Sequence, residues 1–73
     1  MQSSRKLIVK YHAITDVGHG IVWEYKIYSP LGHAVGRTSG TPKEMAVCYP
    51  STEYRFVNEE TLESIQRANK QNP

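Results

Sequence analysis

Three histidines and one cysteine are the residues best suited to metal binding or nucleophilic chemistry: His12, His19, His33 and Cys48. Their order is His-x6-His-x13-His-x14-Cys, which lacks the short-range pairs that let one turn or helix present two ligands to zinc. The stretch VGHGIVWEYKIYSPLGH, residues 17–33, sets His19 and His33 at the two ends of one strand-like run. An eight-residue strand separates its ends by about 23–27 Å, far more than one ion can bridge. The paired Gly-His steps therefore read as the turns of a hairpin, and no metal site is expected.

Thiolate chemistry at Cys48 needs a nearby base or a helix N-terminus to lower the thiol pKa. Cys48 instead falls at the end of a short helical run, and helical spacing places it with Met45 and Tyr49 on the core side. A buried structural thiol is the expectation. Glu59, Glu60 and Glu63 match the acidic start of a helix rather than a catalytic carboxylate pair. GHG at 18–20 lacks the lysine and hydroxyl residue of a phosphate loop. No catalytic residue is assigned, and no cofactor is implied.

The elements that position these residues follow from periodicity. KLIVKYHAI, residues 6–14, alternates Leu7, Val9, Tyr11 and Ala13 with Ile8, Lys10, His12 and Ile14, a strand pattern rich in β-branched residues. IVWEYKIY, residues 21–28, sets Ile21, Trp23, Tyr25 and Ile27 on an apolar face and Val22, Glu24, Lys26 and Tyr28 on a mixed one, as in a sheet covered on one side. SPLG forms a turn, and HAVGR offers a short third strand. Thr41, Pro42 and Glu44 supply an N-cap, an N1 proline and a capping-box glutamate for a helix that Pro50 stops, in preference to the rival strand MAVCY. TEYRFV returns to a strand pattern, and Asn58 caps a second helix, EETLESIQRANK.

These elements run β-β-β-α-β-α. The expected fold class is α+β: a small, largely antiparallel sheet of three to four strands, a short helix and a weakly held C-terminal helix, with the helices on one face. Residues 1–70 form a single domain, and 71–73 a frayed tail. Seventeen large apolar residues beyond Met1, with five tyrosines, support one thin core. A lone cysteine excludes an intrachain disulfide. No continuous apolar run at the N-terminus suggests a signal peptide, and no stretch reaches membrane-spanning length, so a cytoplasmic protein with no membrane role is expected.

The net charge of +2 demands no nucleic-acid partner, but it is polarised. Residues 1–43 hold six Lys/Arg against two acids, and residues 44–73 hold three against five. Two binding surfaces follow from this. A patch of Lys10, His12, Lys26, Tyr28 and Arg37 on the solvent face of the sheet suits a protein partner, because tyrosine and arginine are enriched at interfaces. Alternatively, Arg5, Lys6, Lys10, Lys26 and Arg37 interleave with aromatics, as in sequence-tolerant single-strand nucleic-acid binders.

In size, lone cysteine, polarised charge and β-rich build with a terminal helix, the chain resembles the small regulators that bacteriophages make to redirect host machinery. The resemblance covers build and carries no motif, so it transfers no site residue. It implies a protein that binds bacterial RNA polymerase in the host cytoplasm and alters transcription. Anti-CRISPR inhibitors share the same build.

Overall fold

The computed structural model describes residues 4–18 and 20–71. Its elements are β1 (Lys6–Val17), β2 (Gly20–Tyr28), β3 (Ala34–Gly40), α1 (Pro42–Cys48), β4 (Tyr54–Val57) and α2 (Glu59–Gln71). The α+β class and the element order are as expected. Gln71 continues α2, while residues 72 and 73 of the expected tail lie outside the described residues, as does His19. Among the described residues, no helix is long and apolar enough to cross a membrane.

The four strands lie in the order β3-β2-β1-β4. β1–β2 and β2–β3 are antiparallel, whereas β4 runs parallel to β1. A parallel return requires a crossover, and α1 supplies it by carrying the chain over one sheet face from β3 to β4. The chain then turns at Asn58, and α2 packs against the opposite face.

The helices thus lie on two faces, not one. The physical reason is the run Leu7-Ile8-Val9, whose exposures are 3%, 0% and 3%. Successive strand residues point to opposite faces, so three buried in a row need cover on both. Leu7 and Val9 pack with Leu62 of α2, flanked by Tyr28, Val57 and Ile65. Ile8 packs with Tyr25 and Met45 of α1, flanked by Trp23, Ile27, Tyr49 and Tyr54. The core is therefore two thin layers separated by the sheet.

Both helix starts are capped as their sequences require. The Glu44 backbone N–H donates to Thr41 Oγ1 at 3.2 Å, and the Thr41 N–H donates to Glu44 Oε1 at 2.9 Å. Such a cap is worth about 1 kcal/mol, which helps α1 hold helical form against the strand propensity of Val47 and Tyr49. Asn58 Oδ1 accepts from the Thr61 N–H at 2.7 Å, closing the start of α2.

α2 is also latched to the β2–β3 turn. Gln66 Nε2 donates to the Gly32 carbonyl at 3.0 Å. Gly32 has φ +94°, and a Cβ built there would stand 2.7 Å from Gln66 Cγ. Gly32→Ala is therefore expected to cost about 1–2 kcal/mol through backbone strain and to displace Gln66. Amide hydrogen exchange checks it: protection should fall along α2 first, with β1 and β2 less affected.

The β1–β2 hairpin extends past its neighbours. β4 pairs with Lys6–Val9 of β1, and β3 reaches only as far as Trp23 of β2. The rest of the hairpin projects as a two-stranded ribbon, with Ile14 and Ile21 exposed along it. The radius of gyration is accordingly 13.2 Å, against about 11 Å for a compact domain of this length.

Candidate functional site

The sheet separates residues that simple alternation groups together. β1 has two register shifts against β2, between Lys10 and His12 and between Ala13 and Thr15. The first is a bulge at Tyr11, and a bulge lets two successive residues share a face. Lys10 stays with Tyr25 on the α1 face, where its Nζ sits 4.4 Å from the centre of the Trp23 ring. His12 moves to the α2 face, opposite Glu24, with Nδ1–Oε1 at 3.8 Å. Tyr11 meets His12 edge-on at 4.6 Å between ring centroids, and it takes Lys26 Nζ over its own ring at 3.8 Å.

The five residues expected to form one protein-binding patch are therefore divided. Lys10 lies on the α1 face, and His12, Lys26, Tyr28 and Arg37 on the α2 face. Tyr28 is half-buried against the α2 cluster, and Arg37 stands opposite Lys26 on the outer strand β3. The nucleic-acid set is dispersed further. Arg5 donates from Nη1 to the Ser51 carbonyl at 3.1 Å, and Lys6 pairs with Tyr54 at the far end of β1. Lys10 is on one face, with Lys26 and Arg37 on the other. These five cations do not line a common groove.

Cys48 is exposed rather than buried. Met45 and Tyr49 occupy the sheet-facing positions of α1, one turn apart, which leaves Cys48 on the helix flank. Tyr49 is fixed by its hydroxyl, 2.9 Å from Thr38 Oγ1, and by an edge-on contact with Tyr54. His33 sits in the β2–β3 turn, as its sequence position implies, with Nε2 3.4 Å from Asn69 Nδ2.

A concave surface on the α1 face was not apparent from periodicity. It is a groove of about 600 Å³ with Ile8, Tyr25, Met45 and Phe56 as its apolar lining, Pro42 and Ala46 along α1, and Lys10 and Glu59 as its charged residues. Its origin is arithmetical. A helix with side chains is about 10–12 Å across, while four strands at about 4.8 Å each span roughly 19 Å. α1 packs mainly on β2 and β3, with Met45 against Ile8 of β1 and Tyr49 against Tyr54 of β4, so the face stays uncovered around Phe56. Phe56, on edge strand β4, is 47% exposed there despite being a large aromatic. Alternation within TEYRFV puts Phe56 beside Tyr54 on this face, and the short helix opposite was the available clue.

Tyr25 forms part of the groove floor at 3% exposure, and burial pushes its phenol pKa above the usual tyrosine value. A raised acid pKa stabilises the folded state below the unfolded value of about 10, and that stability is lost as pH rises through the folded value. Spectrophotometric titration should find one of the five tyrosines ionising late, together with unfolding. Ionisation of Tyr25 in its ordinary range, in a still-folded chain, would contradict it.

Comparison with known protein families, with curated proteins and with solved structures finds no match to this chain.

Proposed function

We propose that this protein works by binding another protein, and that the groove beside α1 is its docking site. The supporting observation is Phe56, held at the rim of an open apolar groove with Ile8, Tyr25 and Met45 behind it. Apolar grooves with a few polar groups at the edge are the usual form of a binding site. Aromatic anchors in such grooves carry much of the affinity at protein interfaces. A small core also gains from cover by a partner.

The partner suggested by the build of the chain is bacterial RNA polymerase, bound in the cytoplasm so that initiation or termination is altered. The test uses the full chain, immobilised, with purified bacterial RNA polymerase and with nuclease-treated bacterial lysate at low and moderate salt. Retention of polymerase by the native chain, but not by Phe56→Lys, supports the proposal. Retention of a different protein with the same Phe56 dependence keeps the docking site and replaces the partner. Retention that disappears with nuclease, or that ignores Phe56, overturns the reading.

A further inference from the structure

We propose that α2 is a releasable strap. It detaches from the sheet as a unit while β1, β2, β3 and α1 stay folded, and its departure uncovers Leu7, Val9 and Tyr28. The surface concerned lies opposite the groove, and the strap is independent of the docking reading above. Three observations support it: the polarity of the helix's inward stripe, the loose fit beneath it, and the completeness of the other layer without it.

The inward stripe of α2 is Leu62, Ile65, Gln66 and Asn69, spaced i, i+3, i+4 and i+7. Only its first half is apolar. Leu62 is buried and Ile65 half-buried, and both belong to the cluster of Leu7 and Val9. The second half holds the helix through amides. Gln66 Nε2 donates to the Gly32 carbonyl at 3.0 Å, and Asn69 Nδ2 lies 3.4 Å from His33 Nε2. The contact with His33 is exposed and Gln66 is only half-buried. Water therefore replaces both partners at little net cost when the helix leaves.

The seat is also incompletely filled. A cleft of about 180 Å³ remains between α2 and the sheet, with Val9, Lys26, Tyr28, Leu62 and Gln66 in its lining. α2 rests mainly on β1 and joins the sheet through the single residue Asn58. The opposite layer is built differently. Ile8, Tyr25 and Met45 pack with Trp23, Ile27, Tyr49 and Tyr54, all supplied by β1, β2, β4 and α1 with its C-cap. Those contacts persist when α2 goes. Elements with few buried apolar contacts open at a lower free energy than the whole domain. A free helix of 13 residues is marginal in water, so released α2 melts and its amides exchange.

Release changes what the sheet presents. Leu7 and Val9 are each 3% exposed under the helix. Uncovered, they form an apolar strip beside Tyr28, with Lys26 and its cross-strand neighbour Arg37 along the edge. In the docked state α2 is the occupant of that strip, and a ligand reaches it only after the strap has left.

The test uses the full chain. Amide hydrogen exchange is followed by NMR across low denaturant concentrations. In parallel, Val9→Cys is made in a Cys48→Ser background, which removes the exposed native thiol and leaves one reporter beneath α2. The amides of Leu62–Asn69 should exchange through an opening at least about tenfold more populated than that of the β1 and β2 amides, and nearly independent of denaturant. The Val9→Cys thiol should be labelled at least about tenfold more often than global unfolding of the same variant allows. Global unfolding is read from the fluorescence of Trp23, which sits in the other layer. Leu62→Gln should speed α2 exchange further while the Trp23 transition stays cooperative. Exchange in the unsubstituted chain decides the matter if Val9→Cys does not fold. One common opening for α2 and β1, or labelling no faster than global unfolding, overturns the proposal. Loss of the cooperative Trp23 transition in Leu62→Gln does so too, since α2 would then be integral to the domain.

Discussion

Ile8→Ala will leave most of the chain unfolded at room temperature. Ile8 is fully buried, with Ile27 of β2 and Phe56 of β4 as its neighbours in register and Tyr25 and Met45 packed against it. It is the residue at which β1, β2, β4 and α1 meet. Truncating a buried isoleucine to alanine costs about 2–5 kcal/mol, the lost transfer energy plus the cavity left behind. A domain of this size holds only about 3–5 kcal/mol in total. The loss is therefore comparable with the whole stability, and far-UV circular dichroism should show a largely disordered chain. Ile8→Val removes one methyl group and should cost about 0.5–1.5 kcal/mol, leaving a folded protein with a lower melting temperature. A cooperative transition for Ile8→Ala within a few degrees of the parent would show that the two layers are stable without this contact.

Phe56→Lys will have the opposite profile: a nearly unchanged fold and a lost partner. Its side chain is half-exposed, so the substitution removes less buried surface than Ile8→Ala and leaves the β1–β4 pairing intact. At an interface, however, an aromatic anchor is commonly worth 2 kcal/mol or more, or about thirtyfold in affinity. The inserted ammonium adds a desolvation cost and repels any partner that is basic at that point. Binding of the partner should fall at least that far in calorimetry or surface plasmon resonance, with the melting temperature shifted by only a few degrees. Arg37→Ala, on the other sheet face, serves as the control and should bind normally. If Arg37→Ala weakens binding and Phe56→Lys does not, the functional surface is the α2 face.

The parts of the fold legible in the sequence were those set by local chemistry. Thr41, Pro42 and Glu44 marked the start of α1, Asn58 marked that of α2, and alternation in IVWEYKIY gave β2 with its two faces. The placement of the helices was less accessible, because it depends on chain path. A clean alternation was expected in β1, yet the adjacent apolar residues Leu7, Ile8 and Val9 already required cover on both faces. The residues of the candidate patch are separated for a related reason. Lys10 and His12 are two residues apart and belong together in an unbroken strand, but the bulge at Tyr11 sends them to opposite faces. No turn residue or proline announces that bulge. The groove was hidden because it results from a mismatch in width between one short helix and four strands, and neither element shows it alone.

The two irregularities in β1 have a consequence for the protein in concentrated solution. Beyond Val9, the outer side of β1 has no partner in β4, and its N–H and C=O groups would ordinarily recruit a strand from a neighbouring molecule. Bulges interrupt the even spacing that such recruitment requires, and they also coil the ribbon more strongly. With interruptions at Tyr11 and at Ile14, an approaching strand meets only two or three regularly spaced groups before losing step. Stacking into a cross-β fibril, which needs a flat and continuous run, is disfavoured in the same stroke. The ribbon can therefore project isoleucines into solvent while its backbone remains a poor seed for aggregation.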